Sequence, residues 1–354
     1  MANTFGRFCQ LFRGQLCASN ECKVKVRWFS MELGKWKKFN RPLNGSELAR
    51  SGGIASMCRL PIQATAEGLD VCFVGIPLDT GSSNRSGSRL GPRQIRTESC
   101  IIGAYNTVTG AAPFESLQVA DIGDVNINLY DLKKACEDIT EFYKTKILPY
   151  DCKPLTLGGD HTISYPILKA LKEKHGPLGM IHIDAHCDTL DEMMGEKIGH
   201  GTPFRRAVDD GLLDCKRVVT LGLRGQASGP GDDWKIPGFR YIWAHQFWNK
   251  SMQSLMDELR QHMGSGPVYI SFDIDALDPS IAPGTGYPEI GGLTSMQVLE
   301  IIQGCKGLDI IGGDLVEVSP PYDPTGTTAL VAANFLFEML CVIPGVKYYP
   351  VSHW

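Results

Sequence analysis

The chain has 354 residues, of which 43% are hydrophobic and 21% charged, with a formal net charge of −4. This is close to the globular average, so collagen-like, coiled-coil and wholly disordered chains are excluded, and about 150 residues per domain allows two domains or one large α/β unit. The total hides a split. Residues 1–50 carry ten Lys or Arg and three Glu, a local +7, whereas residues 51–354 carry 25 basic and 36 acidic residues, a local −11. So acidic a body is not expected to bind a nucleic-acid backbone.

Residues 1–20 contain no Asp or Glu, and Phe5, Phe8, Phe12 and Leu16 recur near helical spacing with Arg7 and Arg13 among them. That texture predicts a mitochondrial transit peptide within a basic segment over 1–50, and therefore a matrix location, with cytoplasm as the alternative. A secretory signal needs an unbroken apolar run of about 7–15 residues, which this segment lacks. The twelve cysteines form no CxxC pair and read as free thiols in a reducing compartment.

From about residue 55 the chain alternates β-branched runs with helical patterns. Strands are predicted at 70–76, 119–121, 153–157, 178–183, 217–223, 239–243, 267–272 and 308–318. Helices are predicted at 91–105, 131–147, 162–174, 251–263, 295–304 and 327–341. Residues 225–237 read as a long surface loop rich in Gly, Pro, Ser and Asp. The most apolar stretch, 328–343, is interrupted by Asn334 and Glu338 and is shorter than the roughly 20 residues of a membrane span. It reads as a buried helix, and no membrane partner is expected. The alternation predicts a three-layer α/β/α domain over 55–346, built on a doubly wound, mostly parallel sheet.

Strands buried on both faces should be nearly all apolar. Three strand ends break that rule: LGGDH at 157–161, MIHIDAHCD at 180–188 and YISFDIDALDP at 269–279. Alternation in an extended chain would put Asp184, His186 and Asp188 on one side, with Cys187 facing away, and Asp273 with Asp275 on one side. Each piece has an ordinary reading as a turn, a helix cap at Asp160 or a solvated edge. Together they place carboxylates where the ends of α/β strands form ligand crevices. Buried carboxylates need a positive partner, and neither strand end carries Lys or Arg. Asp184, Asp188, Asp273 and Asp275 supply four negative charges, matched by two divalent ions. His161 and His186 complete six oxygen and nitrogen ligands, a set that favours a hard ion such as Mn²⁺. His182 shares their parity and reads as a supporting or core histidine.

These motifs, with HGTP at 200–203 and DLVEVS at 314–319, resemble those of the ureohydrolases, the arginase and agmatinase family. The resemblance implies two Mn²⁺ per subunit that activate a water to attack a guanidinium carbon. One ion would take His161, Asp184, Asp188 and Asp273, and the other His186, Asp184, Asp273 and Asp275, so that Asp184 and Asp273 bridge. It implies His200 as the proton-handling residue and Glu317 as the guanidinium-binding residue, with Asp188 also counted as catalytic. It also implies a small guanidino substrate and a homo-oligomer, trimeric or hexameric.

The sequence departs from the family pattern at Cys187 and at Tyr287, both positions where relatives usually have Thr. The overall look is closest to the agmatinase subgroup, including guanidino acid hydrolases and guanidinobutyrase. Asn84, Arg85, Arg224 and Tyr287 are candidates for the substrate tail, and the arginines favour a carboxylate tail such as that of 4-guanidinobutanoate over agmatine. A metal-dependent amide deacetylase on the same scaffold, or a metal-loaded binding protein without catalysis, are the alternatives.

Overall fold

The computed structural model describes residues 39–225 and 234–351. The amphipathic pattern expected to form a transit segment and most of the loop expected at 225–237 lie outside the described residues.

In chain order the strands are β1 (Val71–Gly75), β2 (Ala111–Ala112), β3 (Val119–Asp124), β4 (Lys153–Leu157), β5 (Leu178–Ile183), β6 (Leu213–Leu223), β7 (Arg240–Trp243), β8 (Pro267–Asp273), β9 (Asp309–Val316) and β10 (Lys347–Tyr348). The helices are α1 (Gly91–Glu98), α2 (Leu132–Lys146), α3 (Ser164–His175), α4 (Pro203–Asp209), α5 (Gln253–Met263), α6 (Ser295–Gly304) and α7 (Thr327–Val342). Eight strands form one sheet in the order β3-β1-β4-β9-β8-β5-β6-β7. Every neighbouring pair in it is parallel. The short β2 and β10 form a separate antiparallel pair.

A strand covered on both faces sends alternate side chains into two cores. Val71 and Phe73 of β1 enter one core with α1, α5, α6 and α7, while Cys72 and Val74 enter the other with α2, α3 and α4. The layers are therefore helix, sheet and helix, the doubly wound α/β/α arrangement expected. The apolar run at 328–343 is α7, almost wholly buried on the sheet. Among the described residues no helix is long and apolar enough to cross a membrane.

Several predicted elements shift. The helix expected over 91–105 ends at Glu98 and continues only as a short 3-10 turn, Ser99–Ile101. The strand expected at 217–223 starts earlier, at Leu213. Helix α4, seven residues long, carries no apolar period long enough to be read from sequence. The described cysteines, buried or half-buried, are free.

One ion network ties the edge of the sheet to the helical layer. Arg96 of α1 is buried and pairs with Asp121 at 2.8 Å and Asp124 at 2.5 Å, and Asp121 also accepts the Met57 N–H. Removing one partner of a buried pair leaves an uncompensated charge. Arg96→Ala should therefore lower unfolding stability by about 3 kcal/mol or more. An unchanged midpoint in denaturant titration contradicts this.

Candidate active site

The six candidate metal ligands and Glu317 leave the carboxyl ends of four neighbouring strands, β4, β9, β8 and β5, at the middle of the sheet. This is the end at which open α/β sheets bind ligands. After β4, Gly159 lets the chain pass against Leu78, whose carbonyl oxygen would lie 1.8 Å from any added Cβ. Asp160 then caps the turn into α3, accepting from the N–H groups of Thr162 and Gly81. Its carboxylate serves the backbone, as the capping reading expects.

His161 follows at the buried centre. Its Nδ1 stands 2.8 Å from Asp188, 3.2 Å from Asp184 and 3.3 Å from Asp273, yet makes no hydrogen bond. His186 Nδ1 lies 3.1 Å from Asp275 and 3.5 Å from Asp184. Among the described residues three groups of donor atoms are close enough to hold a cation: His161, Asp184, Asp188 and Asp273 form one, Asp184, His186 and Asp275 a second, and His161, His182 and Asp184 a third, which shares two donors with the first and takes His182 from the side away from the cavity. Asp184 belongs to all three, while Asp273 falls only in the first. The six residues expected from sequence thus come together, although the second bridging role expected of Asp273 is not matched by this grouping.

The local geometry differs from simple alternation. Strand β5 ends at Ile183, and Asp188 turns into the left-handed region at φ 52°. Asp273 ends β8 and caps a 3-10 turn, accepting the Asp275 N–H at 2.8 Å. The carboxylates converge through these turns, not through strand parity. Cys187, expected to face away, lines the cavity beside Asp188.

The charges need cations. Burial first, then Asp275 and Asp184, push Asp273 well above the carboxylate range. Burial, partly offset by His186, pushes Asp275 up to about 6. Burial also acts to raise Asp184, but His182, His161 and His186 outweigh it and hold Asp184 well below that range. Burial acts to lower the His161 imidazole, yet Asp184, Asp188 and Asp273 hold it well above its ordinary range. The donor set is oxygen and nitrogen only and includes an orphaned buried imidazole nitrogen, so it fits hard divalent cations.

Beside this cluster lies a cavity of about 840 Å³. Glu317 follows β9 at a left-handed φ of 64° and is 3% exposed. One of its oxygens accepts the His161 N–H at 2.9 Å, the other is buried without a partner, and the residue lines the cavity. Such backbone conformations cost on the order of 1–3 kcal/mol for a residue with a side chain. A Cβ on Gly286 would sit 3.0 Å from that same Glu317 oxygen, so the loop packs closely on it. His200 lies across the cavity, its Nδ1 3.6 Å from Glu317 and its Nε2 2.7 Å from the Ser83 hydroxyl. Burial acts to lower it, but Glu317 above all, with Asp188 and Asp160, pushes it up to about 9.

The chain matches the arginase family model over residues 69–341. It belongs to the arginase family. Mitochondrial agmatinase of Gallus gallus is 62% identical over 88% of this chain and 92% of its own length. Mitochondrial guanidino acid hydrolase of Homo sapiens is 60% identical over 87% and 88%. Guanidinobutyrase of Pseudomonas aeruginosa is 59% identical over 88% and 98%. Among solved structures, proclavaminate amidino hydrolase from Streptomyces clavuligerus superposes with TM-score 0.78 at 36% identity, covering 82% of this chain and 97% of that one. A hypothetical agmatinase from Burkholderia thailandensis gives 0.77 at 39%, covering 83% and 91%. This arginase-family chain is a hydrolase of carbon–nitrogen bonds in amidines.

The tail candidates fare differently. Arg224 is not available to a substrate carboxylate: its guanidinium donates to the carbonyls of Gly222, Asp275, Ala276, Leu277, Glu289 and Ile290, which occupy all its N–H groups. Arg85 is exposed, lies over the Tyr322 ring at 5.0 Å and does not line the cavity. Asn84 donates to the Gly286 carbonyl, tying two loops together. Only Tyr287 remains as a wall, packed edge-on against His186 with ring centres 5.2 Å apart. Asp191, which also lines the cavity, is held by Lys197 and Arg206, which lower it to about 2, with Lys197 the larger effect.

Ser83, Glu289 and Trp243 also line the cavity and carried no recognisable motif. Glu289 sits in the same GTGYPE run as Tyr287, which is the signal that could have found it.

Adding Mn²⁺ to the metal-free protein should raise its unfolding temperature, since a ligand of the native state alone stabilises it. Asp273→Asn should remove most of that rise. A rise of wild-type size in the variant contradicts the cluster as the binding site.

Proposed function

We propose that this enzyme is a binuclear manganese ureohydrolase that cleaves the guanidinium group of a linear guanidino compound into urea and the corresponding amine. The observation that carries the reading is Glu317, a buried carboxylate with one unpartnered oxygen, which lines the cavity beside the carboxylate and imidazole cluster. Ordinary apolar or neutral polar substrates would leave it unpaired at a cost. A guanidinium satisfies it through charge-assisted hydrogen bonds.

His161, Asp184, Asp188 and Asp273 would hold one cation, and His186, Asp184 and Asp275 the other, with Asp273 completing the second site as a bridge. When bound, the two cations supply Lewis acidity that lowers the pKa of a water and aims it at the guanidinium carbon. The protein's side chains do the rest. Glu317 binds and orients the guanidinium. His200 delivers a proton to the departing amine nitrogen, without which that nitrogen is a poor leaving group. Leu190, Met193, Trp234 and Trp243 line the path outward and suit a short methylene chain.

The substrate tail has two readings. The names of two relatives, guanidino acid hydrolase and guanidinobutyrase, support a guanidino acid such as 4-guanidinobutanoate. Glu192 and Glu289 on the cavity wall favour the cationic tail of agmatine. The arginine argument for an acid no longer stands on Arg224 or Arg85. A deacetylase would have no use for the second donor group or for Glu317.

The relatives named mitochondrial support import directed by residues 1–50, and the family resemblance supports a homo-oligomer, trimeric or hexameric.

Purified protein with Mn²⁺ should release urea from a panel of agmatine, 4-guanidinobutanoate, 3-guanidinopropionate and arginine, strongly from one of the first two. No urea from any member overturns the proposal. Glu317→Gln should lower kcat/KM by roughly 100-fold or more while leaving metal content unchanged. Loss of metal in that variant would assign Glu317 to the metal site instead.

A further inference from the structure

Beneath His161 lies a buried chain of polar groups outside the cavity. His161 Nε2 is 2.9 Å from the Ser271 hydroxyl, and that hydroxyl is 2.8 Å from one oxygen of Asp314. The other Asp314 oxygen takes the hydroxyls of Ser164 at 2.6 Å and Tyr269 at 2.9 Å. All five side chains are fully buried.

We infer that Asp314 is a positioning residue: acting through Ser271, it fixes the proton of His161 on Nε2 and so presents Nδ1 as a bare lone pair to the carboxylate cluster. The inference rests on the reading of His161 as a cation ligand.

The direction of each hydrogen bond follows from what each group can do. A carboxylate only accepts, so all three hydroxyls donate to Asp314. A hydroxyl has one proton. Once Ser271 has given it to Asp314, its oxygen can only accept from His161, and the acceptable neutral imidazole carries its proton on Nε2. A cation needs the opposite nitrogen unprotonated, and partners of this kind commonly set the orientation of a ligating histidine. Nδ1 is the nitrogen that lacks a hydrogen bond and faces three carboxylates.

Asp314→Asn keeps the shape but reverses the chain. An amide oriented to keep the Ser164 and Tyr269 bonds places its NH₂ against Ser271. Ser271 then donates to His161 Nε2, and the imidazole proton moves to Nδ1. Cation binding must now undo a satisfied arrangement. Ser271→Ala behaves differently, because it leaves Nε2 unpartnered with or without a cation.

The experiment measures Mn²⁺ affinity by chelator competition in full-length wild type, Asp314→Asn, Ser271→Ala, the double variant and His161→Ala, with the unfolding temperature of each metal-free protein as a check of folding. The expected loss is about 10- to 100-fold in Asp314→Asn and less in Ser271→Ala. The double variant should bind more tightly than Asp314→Asn alone, because without the hydroxyl the amide cannot reach the imidazole. Additive losses, or affinity unchanged in Asp314→Asn, overturn the relay. Unchanged affinity in His161→Ala overturns the ligand reading and the relay with it, while a loss there with no Asp314 effect overturns the relay alone. Neutron diffraction on the wild type tests the same point without a variant: the Ser271 proton should point to Asp314, and a proton pointing to His161 overturns the inference.

Discussion

Mutual repulsion among buried carboxylates is the constraint on which the rest of this structure depends. Strands β5 and β8 are neighbours in the sheet, spaced about 4.8 Å apart. Their carboxyl ends therefore bring Asp184, Asp188, Asp273 and Asp275 together where water is largely excluded. Such a cluster is stable only if positive charge joins it. In the protein chain itself the imidazoles of His161 and His186 face these carboxylates, which shift both above the ordinary range against the effect of burial. Two divalent cations answer the same demand more completely, since four negative charges then meet four positive ones.

The surrounding backbone is shaped by that cluster. Asp184 takes the N–H of His186 and Asp273 that of Asp275, so main-chain donors fix the carboxylates. His182 bonds Asp184 at 2.8 Å from beneath, the supporting place its parity suggested. Asp188, in the loop after β5, and Glu317, directly after β9, both adopt left-handed backbone. Strain of this kind persists only where the fold over-determines it, and here it turns two carboxylates toward one cavity.

Much of this was legible before any coordinates. The strands at 153–157 and 178–183 were bounded as they stand, because continuous apolar runs in a doubly covered sheet are distinctive. The six donor residues were legible because polar groups at the ends of such runs have no ordinary explanation as a set. What stayed hidden depends on turns and on the partners of flexible side chains. Alternation put Cys187 away from the cavity, but the chain has left the strand by residue 184, so parity no longer applies. Arg224 looked like a free cation, yet six carbonyl oxygens of loops far apart in sequence surround it. No local pattern announces that. Glu289 and Ser83 carry no signal of their own for the same reason: each is ordinary in its own segment and gains its place on the cavity wall only from the packing of others.

With the N–H groups of Arg224 committed to carbonyls and Arg85 outside the cavity lining, the account of specificity changes more than that of chemistry. The described walls combine apolar surface with carboxylates, in keeping with the acidic balance of residues 51–354. The most direct test of the central claim is anomalous diffraction at the manganese edge from crystals grown with Mn²⁺. The account predicts two peaks per chain, one beside His161 and one beside His186, with Asp184 between them. A single peak, or peaks away from these residues, would contradict it.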